Sequence, residues 1–324
     1  MHNKDRRIEA AGSKSEPPDQ TSFVDMPVKA VYLGYNNVSD IKSTITQALD
    51  YGYNLIILAF WIDPSTGVDP FSAADYWSKL SPTDQVALSN QALTQKARII
   101  VSAGGSTYSD YSSPAEDFGS GAATFARDNN LHGVDFDLEN LSANGSLPTA
   151  QWIVDATVAA RNILGVNATI THAPQAPYFG IEFDYIYRDV YDQLVTSGRA
   201  DLINYFLIQY YNQGSDPASC AYKTYEDQFL DNSCHPNTTI KDLINPVTTT
   251  HIAIPKEKVV IGKLMQPGDG SAATWVDPSI IGTWITQAKN DPAVQNWNTG
   301  ISTWQWNTTG SPNAQEWIDD IFGS

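Results

Sequence analysis

The sequence predicts a single (β/α)8 barrel, the parallel TIM barrel of the α/β class, and three observations carry that prediction. From Val28 onward extended apolar segments alternate with helical ones eight times within 324 residues, the pattern of a parallel sheet. Closed barrels commonly reach this length as one domain. Polar and aromatic residues gather at the ends of the extended segments, where barrel enzymes carry their chemistry.

Residues 1 to 24 mix charges with Gly, Ser and Pro and lack apolar periodicity, so a disordered leader is expected ahead of a barrel at 25 to 324. Val28 to Tyr35 is the expected first strand and Asp40 to Tyr51 its helix. Asn54 to Trp61 is a nearly unbroken apolar run, as a strand buried on both faces requires. A long loop is expected over Asp63 to Leu80, then a helix from Pro82 to Lys96 and a strand from Arg98 to Gly105. Pro114 to Asn129 fits a helix and Leu131 to Glu139 a fourth strand. Helices over Thr149 to Leu164 and Phe183 to Ser197 flank a strand at Ala168 to Ala173, and Leu202 to Tyr211 is the sixth strand. Thr238 to Thr249 is expected as helix, Lys258 to Met265 as strand, Pro278 to Lys289 as helix, Gly300 to Trp306 as strand and Pro312 to Phe322 as the closing helix.

Composition narrows the function. The chain is 42% hydrophobic and 17% charged, and no apolar run approaches the roughly 20 residues that span a bilayer. With 36 acidic against 19 basic residues the net charge is -17, which disfavours nucleic acid as a partner. Cys220 and Cys234 form no metal-ligand spacing and fit either one disulfide or two free thiols. Sequons at Asn37, Asn140, Asn144, Asn167, Asn237 and Asn307 favour an extracellular glycoprotein, although residues 1 to 20 hold no apolar signal core. A monomer is expected.

The fourth strand is the richest in chemistry. In extended chain Asp135, Asp137 and Glu139 share one face with Gly133, while Val134, Phe136 and Leu138 share the other. Periodicity alone leaves two readings open, acids facing water or acids facing a buried site. Gly133 on the acidic face marks close packing or a nearby ligand. Counting from Asp135, the sixth and twelfth positions are Asn140 and Ser146, so the calcium loop of an EF-hand fails, and five scattered histidines offer no metal cluster. No metal and no cofactor is expected. His172 is best explained as a satisfied strand histidine.

The other strand ends carry Tyr32 to Asn36, Ser102 to Gly105, His172 to Pro177, Gln209 to Asn212, and Trp304 to Trp306. Carboxylates, amides and tyrosyl hydroxyls between indole faces suit a carbohydrate, with hydroxyls at its edge and C–H patches on its faces. Trp61, Trp77, Tyr108, Tyr178 and Trp275 fit cleft and core equally well.

Gly133 to Glu139 resembles the D-G-x-D-x-D-x-E signature of glycoside hydrolase family 18, the chitinases and related endo-β-N-acetylglucosaminidases. Ser102 to Gly105 is similar to that family's S-x-G-G strand. Ala173 to Pro177, Gln209 to Asn212 and Gly300 to Trp304 resemble the A-P-Q-x-P, Q-F-Y-N and G-V-M-x-W segments of the class III plant and fungal chitinases. The first Asp of the signature is His132 here, which bears on local geometry and on the acidity of the row. The resemblance implies a chitinase acting on β-1,4-linked N-acetylglucosamine by substrate-assisted retention. It makes Glu139 the general acid, Asp137 the partner of the acetamide, Tyr211 the holder of the acetamide oxygen and Asp135 a tuner of the row. Trp304, Gln209, Tyr32, Gln175, Asn212, Gly104 and Gly105 are implied to bind substrate. An endo-β-N-acetylglucosaminidase acting on N-glycan cores and a non-catalytic chitin-binding lectin are the alternatives.

Overall fold

The computed structural model describes residues 26–139, 149–179, 190–213, 221–245 and 253–323. The expected leader, the sequons at Asn140 and Asn144, Cys220 and parts of the helices expected from Phe183 and towards Thr249 lie outside these residues. Strands β1 (Val28–Leu33), β2 (Leu55–Asp63), β4 (Arg98–Gly104), β5 (Gly133–Asp137), β6 (Thr169–His172), β7 (Tyr205–Gln209), β8 (Val259–Leu264) and β9 (Gly300–Trp304) pair in that order, all parallel. β1 also pairs with β2 and β9, which closes the barrel. The two-residue β3 (Gly67–Val68) is antiparallel to the end of β2.

Around it run α1 (Ile41–Asp50), α2 (Ala73–Ser78), α3 (Pro82–Thr94), α4 (Ala115–Asp128), α5 (Ala150–Leu164), α6 (Val190–Thr196), α7 (Ile240–Ile244), α8 (Pro278–Ala288) and α9 (Ala314–Phe322). Caps fix many of their starts. Asp40, Ser81, Thr149 and Asn313 each accept a main-chain N–H of the first turn, satisfying donors that have no partner within the helix. The segment expected as a loop from Asp63 to Leu80 holds β3 and α2. Six residues are too few to show a helical period, and the legible signal was Ser72, whose side chain accepts the Asp75 N–H. A helical turn at Glu226–Leu230 likewise lies in a stretch expected as loop.

The core has two compartments. Val31, Val134, Phe136, Leu138 and Ile208 pack outward against the helices, and Val28, Ala30, Tyr32, Ile57, Ile100, Leu207 and Val260 fill the barrel. The alternation of β5 therefore sends its acids inward, which decides between the two readings of that strand. Gly133 packs closely: a side chain there would collide with the Thr169 carbonyl of β6. Trp61, Trp77, Tyr108 and Trp306 are buried among the outer-shell side chains and belong to the core.

Candidate active site

The C-terminal ends of the strands surround a cavity of about 180 Å3 lined by Tyr32, Phe60, Ser106, Asp137, Glu139, Tyr211, Asn212, Asp269 and Trp304. β5 sets its floor. Asp135 is fully buried and accepts three hydroxyls, from Tyr32 at 2.9 Å, Ser102 at 2.7 Å and Thr171 at 2.6 Å. Ser102 and Thr171 stand beside Asp135 because β4, β5 and β6 are in register at those residues. Burial raises the Asp135 pKa above the ordinary carboxylate value, and the three donors oppose that shift.

One step up the strand, the Asp137 and Glu139 carboxyls are neighbours and perturb each other's ionisation. Burial and the neighbouring Glu139 and Asp135 charges hold the Asp137 pKa well above the usual range, and burial raises Glu139 also. Two carboxylates in a dry site resist being charged together. Gln209 donates from Nε2 to Asp137 at 2.9 Å and to the Ala173 carbonyl at 3.0 Å. Gln209 and Gln175 also stand near the Glu139 carboxyl and oppose the upward shift that burial causes, and the two glutamines sit side by side in an isolated parallel bridge. The Tyr178 hydroxyl donates to the Glu139 main-chain oxygen at 2.6 Å, holding the end of the acidic segment.

The aromatic wall is built from three strands. Trp304 stacks on Phe60 with ring centroids 5.8 Å apart and meets Tyr32 edge-on at 5.9 Å. Gly104 and Gly105 make this possible. Gly104 has φ 105° and sits where a side chain would strike the Asp137 carbonyl, and a Cβ at Gly105 would lie 3.0 Å from the Phe60 ring. Tyr211 opens onto the cavity, and burial together with Asp137 and Glu139 keeps its hydroxyl protonated. Behind it the buried Lys263 ammonium donates to the Tyr222 carbonyl at 2.9 Å and the Tyr210 carbonyl at 3.3 Å, anchoring the segment after β7. Asn212 accepts the Ser271 N–H at 2.7 Å and ties that segment to the loop carrying Asp269.

Of the residues singled out from sequence, Tyr32, Asp137, Glu139, Tyr211, Asn212 and Trp304 line the cavity. Asp135, Gln209, Gln175, Gly104 and Gly105 stand behind that lining and hold it. Phe60, Ser106 and Asp269 line it without having been singled out. Phe60 is hidden in a strand apolar on both faces. Asp269 lies past the seventh barrel strand, where its carboxylate accepts the Gln266 N–H at 2.8 Å. His132 is at the opposite end of β5, its Nδ1 accepting the Ile99 N–H at 2.9 Å. Burial and Arg98 lower its pKa to about 4. His172 bridges Thr157 at 3.1 Å and Tyr191 at 3.0 Å outside the barrel. Cys234 is in a disulfide. Among the described residues no group of three His, Cys, Asp or Glu is arranged to hold a metal, and no helix is long and apolar enough to cross a membrane.

No protein-family model and no curated protein matches the sequence. Solved structures do match in fold. A family 18 chitinase from Pseudoalteromonas aurantia aligns over 90% of this chain and 98% of its own, with TM-score 0.63 and 20% identity. A family 18 chitinase from Chromobacterium violaceum aligns over 91% and 81%, with TM-score 0.63 and 17% identity. A xylanase-α-amylase inhibitor protein aligns over 92% and 99%, with TM-score 0.58 and 16% identity. The fold of this chain is the fold of the family 18 chitinases.

Proposed function

We propose that the chain is a family 18 glycosidase that cuts β-1,4-linked N-acetylglucosamine polymers, a chitinase, by the substrate-assisted retaining route. The observation that carries this reading is the adjacent Asp137 and Glu139 pair, both raised in pKa by burial and lining a cavity walled by Trp304 and Tyr211. Such a pair keeps an acid protonated where an exposed glutamate would have ionised.

In this reading Glu139 gives its proton to the glycosidic oxygen as the bond to the anomeric carbon breaks. The acetamide oxygen of the same sugar attacks that carbon from the other face, and Asp137 accepts the acetamide N–H and balances the charge of the oxazolinium ion. Tyr211 donates to the acetamide oxygen, and Trp304 carries the apolar face of the ring. Glu139, now ionised, takes a proton from water as it opens the intermediate with net retention. Asp135, held by three hydroxyls, stands below the pair and helps to hold the Asp137 pKa high.

Similarity in fold to inhibitor proteins supports a second reading, a binder of chitin without turnover. Incubation with N-acetylglucosamine hexamer separates the two: short oligomers appear if the chain hydrolyses, and binding without products supports the binder. Release of intact glycans from a high-mannose glycoprotein supports the endo-β-N-acetylglucosaminidase instead. The Cys234 disulfide supports an oxidising, extracellular location.

A further inference from the structure

Among the described residues Lys263 is the only buried lysine or arginine. It stands on the outer face of β8 with Val259 and Ile261, which pack into the shell between barrel and helices. Its ammonium lies 5.9 Å from the centre of the Tyr210 ring and 5.6 Å from that of Trp284, and it pairs with no carboxylate among the described residues. Burial lowers its pKa to about 7. A charge in such a place costs stability. An apolar side chain of the same volume would fill the space without that cost, so packing gives no reason for a lysine here.

The acceptors of the ammonium give one. The Tyr210 carbonyl, at 3.3 Å, belongs to the peptide unit that joins Tyr210 to Tyr211, and the Tyr222 carbonyl, at 2.9 Å, comes from the returning side of the same excursion of the chain. Tyr222 has φ 50°, a left-handed conformation that strains a bulky residue. It is held there from several sides: its hydroxyl is hydrogen-bonded to Thr238 Oγ1 at 2.7 Å, and its ring meets Tyr210 edge-on at 4.8 Å and stacks on His235 at 5.4 Å. Tyr210 is fixed in turn, its N–H donating to the Gly262 carbonyl at 3.1 Å and its hydroxyl to the Thr238 carbonyl at 2.8 Å. On the other side of Tyr211, the Asn212 N–H donates to Thr274 Oγ1 at 3.1 Å. The main chain is therefore pinned before and after Tyr211, whose own side chain turns into the cavity.

We propose that Lys263 is a positioning residue for hydrolysis: by fastening the Tyr210 and Tyr222 carbonyls to one donor behind the barrel wall, it fixes the main chain at Tyr211 and sets the Tyr211 hydroxyl where the acetamide oxygen is held. A donor aimed at developing charge acts through its position, and a small displacement forfeits its effect. This deepens the chitinase reading and rests on it.

The test is a double-mutant cycle on hydrolysis of N-acetylglucosamine hexamer, with Lys263→Met made in wild type and in Tyr211→Phe. In wild type the substitution lowers kcat about tenfold while KM holds. In Tyr211→Phe, which has no hydroxyl to place, it lowers kcat by less than about twofold. Equal losses in the two backgrounds, as a merely structural lysine gives, or no loss in wild type, overturns the proposal. If Lys263→Met does not fold, Lys263→Gln, uncharged but still a donor, takes its place in the same cycle. If wild type leaves the hexamer uncut, the chitinase reading fails, and the cycle is read in hexamer affinity by calorimetric titration: a loss confined to the background that keeps the Tyr211 hydroxyl supports the positioning role, and equal or absent losses overturn it.

Discussion

Gln209 donates to the Asp137 carboxylate at 2.9 Å with the same amide nitrogen that anchors on the Ala173 carbonyl at 3.0 Å, so β6, β7 and the acidic strand are tied at one atom. That donation lowers the Asp137 pKa against the burial that raises it. Gln209→Leu removes the donor at similar volume. A hydrogen bond to a buried charge contributes about 1.5 to 3 kcal/mol, so kcat falls about 10- to 100-fold. The pH profile of chitin-oligomer hydrolysis checks it: the alkaline limb moves upward, because the pair releases its last proton less readily.

Asp137→Asn makes the opposite shift. In wild type the last proton leaves a pair whose full ionisation places two charges in a buried site, so the alkaline limb of kcat/KM lies above the ordinary carboxylate range. Without the second charge Glu139 titrates alone, raised by burial only, and the limb falls to lower pH. The residual activity is low, since the acetamide has lost its partner, but the limb of that residual activity is measurable. An unmoved limb contradicts the mutual influence of the two carboxyls.

His132 replaces the first acid of the signature, yet it stands at the far end of β5 and enters none of the shifts of Asp135, Asp137 or Glu139. Its cost is to stability in acid. The native state keeps it neutral down to about pH 4, against an ordinary value of 6.5, while the unfolded chain takes up the proton below 6.5. Stability from this residue is therefore complete above pH 6.5 and lost as pH falls towards 4, by about 3 kcal/mol in all. His132→Asn still offers an acceptor to Ile99 and does not titrate. Urea unfolding at pH 7 and pH 4.5 gives a smaller loss in this variant than in wild type, with neutral-pH activity unchanged.

The same strand shows what a sequence reveals. Its period of two stated which acids share a face, and eight alternations with sugar-compatible residues at their ends stated which way that face turns. Phe60 was illegible because β2 is apolar on both sides, leaving nothing to distinguish the ring that meets Trp304 from those that meet helices. Asp269 was illegible for another reason. It acts from a loop, where position depends on tertiary contacts such as the Gln266 N–H, and no periodicity reports on those.

Glu139→Gln is the most direct test. The amide fills the same space between Asp137, Gln209 and Gln175 but has no acidic proton to give the glycosidic oxygen. Hydrolysis of N-acetylglucosamine hexamer by the folded variant, its melting temperature near that of wild type, is expected to fall by about 100-fold or more in kcat with binding retained. Full activity in that variant would contradict the assignment of Glu139 as the acid, and with it the proposed mechanism.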